Sequence, residues 1–214
     1  MKRLLFLVCG LLLLSLTACH WLGVKGNGEI KSEERQITDF SELHSDGSFD
    51  IEWRNGPPSL TLTTDENLLT YIQVDVHDSY LRLHMRERVL PTHGLKVVVS
   101  STQRTGCKLR GASGLVAHDL TGDSFAVKTT GAADVKLDGN INQLLADMTG
   151  ASELTARKLQ TKTAEISTTG AASADVSVSD ALRVTITGAG EVTYHGNPTV
   201  QKRVTGAGEI RRKD

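Results

Sequence analysis

The chain has 214 residues, a formal net charge of −1 and aromatic side chains at only 4% of positions. This length suits one sizeable core, and the near-zero charge lacks the basic footprint that nucleic-acid binding requires. We therefore expect one folded domain and no nucleic-acid partner. Of the three cysteines only Cys107 lies beyond the N-terminal segment, so no internal disulfide framework is expected.

The N-terminus is typical of an exported protein. Lys2 and Arg3 precede a nearly unbroken apolar run from Leu4 to Leu16. A helix needs roughly 20 apolar residues to cross a bilayer, so this run is too short for a transmembrane segment and fits a secretory signal. We predict a cleaved signal peptide over residues 1–18.

The residues Leu16-Thr17-Ala18-Cys19 end this run and closely resemble the bacterial lipobox. The resemblance implies that Cys19 becomes the mature N-terminus and carries acyl chains such as palmitate, which anchor the protein in a membrane. The next residue is His20 rather than Asp, which in such lipoproteins implies sorting to the outer membrane. We predict a lipidated tether over residues 19–25 and a domain over residues 26–214.

The C-terminal half repeats a Gly-Ala pair at near-equal intervals. Successive glycines lie 20, 19, 20, 18 and 18 residues apart, and they are Gly111, Gly131, Gly150, Gly170, Gly188 and Gly206. Residues four and two positions before each glycine are mostly apolar or β-branched, such as Ile166 and Thr168, with a residue such as Ser167 between them. This period-two alternation predicts a half-buried strand in every repeat.

A unit of about 20 residues cannot bury its own apolar face, so neighbouring units must stack. We predict an all-β fold, a right-handed parallel β-helix or solenoid with about 20-residue repeats, in which small corner residues recur in register. A β-sandwich or antiparallel meander is the alternative. The N-terminal half is less regular, with one helical turn over 65–72. The segment 26–30 (GNGEI) echoes 188–192 (GAGEV), which predicts that the repeat begins near the N-terminus.

Two polar columns flank the glycines. Three residues after the glycine an acidic column contains Asp134, Glu153, Glu191 and Glu209, with Asp175 displaced by a two-residue insertion. Directly before the glycine a threonine column contains Thr130, Thr149, Thr169, Thr187 and Thr205. Stacked carboxylates repel one another unless they share a cation or are neutralised by neighbours such as Lys136 and Arg211. Both columns are candidate surface binding ladders.

We expect no metal, no cofactor and no catalytic residues. The calcium-binding nonapeptide is absent, and the seven histidines form neither His-x-His nor His-Glu-x-x-His. The acidic residues recur from unit to unit, whereas catalysis needs one singular constellation. Cys107 falls in an inward column and is expected to be a small buried hydrophobe rather than a nucleophile.

The segment 26–30, Arg35, Asp39-Phe40, 49–51 (FDI) and the Gly-Ala repeats together resemble the putative auto-transporter adhesin, head GIN domain family. The resemblance covers most of residues 26–214. It implies a β-helical fold and an exported protein, and it supplies no catalytic residues.

These observations favour a lipoprotein of the cell envelope, anchored in the outer membrane, whose β-helical domain binds or adheres without catalysis. The expected partner is a glycan or an envelope protein. The alternatives are a structural or envelope-assembly lipoprotein of the periplasmic face and a carbohydrate-active β-helix enzyme. Protease digestion of intact cells distinguishes the first two, because only a surface-exposed module is digested.

Overall fold

The computed structural model describes residues 23–213. The predicted signal peptide 1–18 and Cys19 lie outside these residues. Within this range one 3₁₀ helix, Glu66–Tyr71, accompanies the strands. The strands are β1 Val24–Lys25, β2 Ile30–Arg35, β3 Glu42–Gly47, β4 Asp50–Asn55, β5 Ser59–Asp65, β6 Ile72–His77, β7 Tyr80–Met85, β8 Val89–Leu90, β9 Lys96–Ser101, β10 Gly106–Gly111, β11 Gly114–Gly131, β12 Asp134–Gly150, β13 Glu153–Gly170, β14 Ser173–Gly188, β15 Glu191–His195, β16 Thr199–Gly206 and β17 Glu209–Arg212.

The C-terminal half is a stack of parallel coils, which confirms the predicted β-solenoid. Strands β10 to β17 pair only in parallel with the preceding and following coil, and every corner glycine pairs with the next one. The alternative of an antiparallel meander is therefore wrong for this half. Each of β11 to β14 runs nearly from one corner to the next, so a coil is one bent strand rather than two short strands.

The first coils do not follow the order of the chain. Strand β3 lies between β7 and β10, and β4 lies between β9 and β11, in parallel pairs throughout. The chain therefore makes the β3–β4 coil first, adds the β7–β9 coil on one side of it, and then crosses to the other side. The repeat begins near the N-terminus as predicted, with β3 at Glu42 and a corner at Gly47. Residue 30 is no part of a coil, because β2 pairs antiparallel with β5.

Antiparallel strands close the N-terminal end. Strand β5 pairs antiparallel with β2 and β9, and β6 pairs antiparallel with β7. The predicted helical turn is present as the 3₁₀ helix, and the Arg35 guanidinium donates hydrogen bonds to the carbonyl oxygens of Leu69 and Ile72 at 2.8 and 2.7 Å. Val24 and Lys25, the last residues of the predicted tether, pair with β8. The apolar interior is therefore covered at this end.

One continuous apolar core fills the coils. The columns four and two residues before the corner glycine point inward, as the alternation predicted; Ile166 and Ile186 are fully buried. Apart from Tyr194 near the C-terminal end, the aromatic side chains of the core lie toward the N-terminal end of the stack. There Trp53 is fully buried, stacks on Phe40 with ring centroids 5.5 Å apart, and donates its indole N–H to the Ser101 hydroxyl at 2.9 Å. Its polar atom is thereby satisfied inside the core.

The corner glycines are required by sterics. Gly150 has a φ of +111°, and a Cβ on this residue would lie 2.3 Å from the carbonyl oxygen of Gly131 in the preceding coil. The other repeat glycines show the same contact at 2.4 to 2.7 Å. A side chain at this corner would push neighbouring coils apart.

The inward and outward assignment predicts opposite outcomes for two adjacent residues. Ile166 lies between Ala146 and Val184 in the core, whereas Ser167 faces outward and is half-buried. Ile166→Asp should unfold the domain, because an unpaired buried carboxylate costs several kcal/mol, comparable to the whole free energy of unfolding. Ser167→Asp should change that free energy by about 0.5 kcal/mol or less. Equal melting temperatures for the two variants would refute the assignment.

The corner contact predicts a difference between two glycines that both have positive φ. Gly122 has a φ of +131°, but no atom lies within 4 Å of the place that a Cβ would take. Gly122→Ala should therefore cost only the backbone strain, about 1–3 kcal/mol. Gly150→Ala should lose about 1–3 kcal/mol more, because its methyl group overlaps the preceding coil. Urea denaturation measures both, and equal losses would show that the close approach does not constrain the stack.

Candidate binding face

Nine strands form one continuous sheet along the coils, all in parallel pairs except β6 with β7. In spatial order its strands are β6, β7, β3, β10, β11, β12, β13, β14 and β16. We call the outward side of this sheet the front face. In each coil it consists of the residues that lie five, three and one positions before the corner glycine. The residues of β6, β7 and β3 that pair with them continue the face toward the N-terminal end. Neighbouring strands are about 4.8 Å apart, so equivalent side chains form straight columns.

The predicted threonine column lies along one edge of the front face. All five residues are exposed, and each pairs directly with the next along the stack. They are Thr130, Thr149, Thr169, Thr187 and Thr205. Arg110 and Asp46 continue the same column toward the N-terminal end. The structure thus brings these hydroxyls together, while their binding role stays a prediction.

The predicted acidic column lies just beyond the corner, on the adjoining side face, which we define as the outward residues three and five positions after each glycine. Asp134 pairs with Glu153 and Glu191 pairs with Glu209, but Ser173 lies between the two pairs.

The prediction that a two-residue insertion displaces Asp175 from this column is wrong. No residue is inserted between Gly170 and Asp175, because Ser173 takes the place in the column. The Asp175 carboxylate instead contacts the His195 imidazole at 2.9 Å.

Basic side chains neutralise most of the acidic column, as the sequence suggested. The Lys136 ammonium lies 2.8 Å from the Asp134 carboxylate, and the Arg211 guanidinium lies 2.5 Å from Glu209 and 3.5 Å from Glu191. The hydrogen bond from Arg211 lowers the pKa of Glu209. Among residues 23–213 no three side chains of His, Cys, Asp or Glu are grouped as metal ligands.

A basic column on the front face was missed by the sequence analysis. Arg82 on β7, His44 on β3, Lys108 on β10 and Lys128 on β11 are direct neighbours along the stack. The signal was hidden because β7 is far from β3 in the chain and yet lies next to it in the sheet. Only the crossover of the first coils brings these four residues into one line.

A shallow groove of about 430 Å³ runs beside the basic column. Its floor is apolar, because the column five residues before the corner contains Gly106, Ala126 and Leu145. Lys108, Lys128 and three carboxylates border it, the latter being Glu42, Asp147 and Glu165. The groove therefore combines a small apolar surface with charged hydrogen-bonding groups.

Two features that resemble catalytic groups do not form a site. Cys107 is 3% exposed, and burial raises the pKa of its thiol to about 12, so it is not a nucleophile at neutral pH. His195 contacts Asp175, but the neighbouring Ser177 hydroxyl donates its hydrogen bond to the Arg157 carbonyl oxygen at 2.6 Å. These residues therefore make no Ser–His–Asp relay.

The fold and the front face define a parallel β-solenoid with a wide, polar, outward-facing sheet. The chain belongs to the family described as "Putative auto-transporter adhesin, head GIN domain", whose sequence profile matches residues 39–198. This confirms the resemblance noted in the sequence. None of the curated proteins compared with the chain matches it significantly.

Solved structures share this fold. A putative adhesin from Bacteroides fragilis is 18% identical with a TM-score of 0.74, and the match covers 89% of this chain and 100% of that one. A putative lipid binding protein from Parabacteroides distasonis is 22% identical with a TM-score of 0.59, covering 89% and 99%. A putative adhesin from Parabacteroides merdae is 24% identical with a TM-score of 0.58, covering 90% and 99%. At these identities the likeness establishes the fold alone. Within residues 23–213 no helix has the length and apolarity to span a membrane.

Proposed function

We propose that this protein is a non-catalytic binding or adhesion module on a lipoprotein that Cys19 anchors in the outer membrane. The observation that carries the proposal is the register of the threonine column, which presents five exposed hydroxyls at every strand spacing of about 4.8 Å. Membership of the putative adhesin family also supports a role in binding or adhesion.

The repeated columns suit a partner that lies along the stack. Each of the five C-terminal corners has a threonine hydroxyl on one side, and most of them have a carboxylate on the other. A neutral glycan or an extended segment of an envelope protein would meet similar donors and acceptors at each step. Individually weak contacts then add to a useful affinity, and no single residue dominates.

The short tether supports a role close to a membrane. Strand β1 begins at Val24, so five residue steps separate it from Cys19. Those steps span at most about 18 Å when fully extended. With acyl chains on Cys19, the closed N-terminal end of the solenoid would be held near the bilayer, and the coils that bear the threonine column would project away from it.

The anchor predicts the behaviour of Cys19→Ser. This variant should incorporate no labelled palmitate and should leave the membrane fraction, because its thiol is the proposed acyl acceptor. Metabolic labelling with an alkyne analogue of palmitate, followed by membrane fractionation, measures both. Cys107→Ser is the matched control and should keep its label. Equal label on Cys19→Ser and the wild-type protein would contradict the lipoprotein assignment.

Distributed binding predicts how neutralising the acidic column affects affinity. Glu191→Gln alone should weaken binding by only about threefold, and independent contributions from Asp134, Glu153, Glu191 and Glu209 should multiply to about eightyfold in the quadruple Asn/Gln variant. A glycan array and binding to whole envelope preparations measure the loss.

The matched control neutralises four exposed acidic residues outside the column, which are Glu34, Glu87, Asp123 and Asp180. This control has the same net charge as the quadruple variant and should bind as the wild-type protein does. Loss of all binding from the single change Glu191→Gln would contradict distributed contacts and indicate one localised site.

A further inference from the structure

We propose that the C-terminal end of the solenoid is a docking edge for one extended, acidic strand of a partner protein. This strand would pair with β16 as the next rung of the stack and would place a carboxylate against Lys202. The inference goes beyond the proposed function, because it concerns the end of the stack rather than its outward columns and a strand that pairs through its backbone.

The last coil leaves one edge of each strand unpaired. Within residues 23–213, β16 pairs only with β14 and β17 pairs only with β15. The opposite edge of such a strand presents a row of free N–H and C=O groups, which is a template for a further strand. Parallel pairing is the pattern of every coil from β10 onward, so an added rung needs no change in the fold.

The apolar interior continues to this edge and is partly exposed there. Ile186 on β14 is fully buried, whereas its neighbour Val204 on β16 is 41% exposed. Val200 and Ile210 of the last coil also pack only partly against the core. A further strand would bury more of these side chains, because β16 would then have a neighbour on both sides, as β14 has.

A charged residue interrupts this apolar row. The column four residues before the corner glycine contains only buried side chains from Cys107 to Val184, but its next member is Lys202. Lys202 is exposed and has no carboxylate partner among residues 23–213. A strand on β16 would cover the ammonium, and a covered cation without a counter-charge is strongly unfavourable. The partner strand must therefore carry an acidic residue at the position that faces Lys202.

The same chemistry argues against a second copy of this chain as the occupant. The inward column six residues after the corner glycine also ends in a basic residue, since Arg212 follows Tyr194 there. Two copies joined through their C-terminal edges would bury these like charges together. Inward-pointing charges, and lysine above all, protect sheet edges from pairing with identical edges. A foreign strand with a matching carboxylate escapes this penalty.

The charge of the last coil is complementary to an acidic segment. Residues 197–214 contain more basic than acidic side chains, namely Lys202, Arg203, Arg211, Arg212 and Lys213 against Glu209 and Asp214. The residues of β14 and β15 that pair with this coil add Arg183 and Glu191, whose charges cancel. The coil therefore keeps a net positive charge, which accelerates the encounter with an acidic strand and selects against a basic one.

The test uses the full-length protein in detergent and synthetic peptides that copy the preceding coil. Each peptide has the sequence of residues 179–193 with blocked ends, either unchanged or with Val184→Glu or Val184→Lys, because position 184 is in register with Lys202. Fluorescence anisotropy should show that the Val184→Glu peptide binds at least about tenfold more tightly than the unchanged peptide, and that the Val184→Lys peptide binds most weakly.

Charge reversal on the protein checks that the contact is local. Lys202→Glu should reverse the preference, so that the Val184→Lys peptide binds most tightly. Arg203→Glu is the matched control, because Arg203 is the adjacent residue, is exposed and lies in an outward column. This control should keep the order of the three peptides. If it reverses the order as Lys202→Glu does, the preference comes from the overall charge of the end and the inference is wrong. Thermal melts should show both variants folded, since both side chains are exposed.

The selection against a second copy gives an independent measurement. Lys202→Val should form dimers as its concentration rises in analytical ultracentrifugation, whereas the wild-type protein and Arg203→Val should not. A monomeric Lys202→Val variant would show that Lys202 does not select the occupant. A wild-type dimer that Val204→Asp dissociates would identify the occupant as a second copy, and failure of all three peptides to bind would show that the end is no docking edge. Each of these results overturns the inference and leaves the proposed function standing.

Discussion

The close approach of neighbouring coils at the corner glycine is the constraint on which the rest of the structure depends. From Gly47 to Gly170, each corner glycine accepts a hydrogen bond at its carbonyl oxygen from the N–H of the alanine after the next corner, as Gly131 does from Ala151 at 2.8 Å. The same oxygen occupies the space that a Cβ on Gly150 would need. A hydrogen bond and a steric exclusion therefore fix one register, since a shift by one residue would put a side chain into this contact.

The fixed register determines what each surface of the solenoid carries. Because one strand spacing separates equivalent residues, a residue type that recurs in the sequence becomes a continuous column in space. For threonine this produces an exposed row of hydroxyls. For carboxylates it produces repulsion, which Ser173 interrupts and which Lys136 and Arg211 relieve through ion pairs on the exposed side face. Such exposed pairs contribute little to the free energy of unfolding, so their main effect is to offset the repulsion between the stacked carboxylates.

The crossover of the first coils determines two features of the N-terminal end: how the core is covered there and which side chains lie on the front face. Antiparallel strands and the Arg35 hydrogen bonds cover the core at the N-terminal end, so a regular repeat is neither needed nor present there. The same path of the chain sets β7 beside β3, which puts Tyr80, Arg82 and His44 together on the front face at that end.

The C-terminal coils could be derived from the sequence alone, because their information is local. Gly-Ala spacing fixes the corners, and the alternation around Ile166 fixes which side chains enter the core, so the β-solenoid and the positions of both ladders followed from the residues. The helical turn over 66–71 was found for the same reason. The resemblance of residues 16–19 to a lipobox is equally local, and the lipid anchor at Cys19 stays a prediction, because these residues lie outside the described ones.

Tertiary structure decided what depends on pairing between distant segments. Nothing in residues 26–30 shows that β2 pairs antiparallel with β5, since an edge strand and a coil strand have the same alternation. The place of Asp175 two residues beyond the acidic column depended on the register of β14 against β13 and β15. The basic column needed the spatial order β7, β3, β10, which differs from the order of the chain. A sequence pattern specifies the face on which a side chain lies, whereas only the assembled sheet specifies which side chains lie beside it.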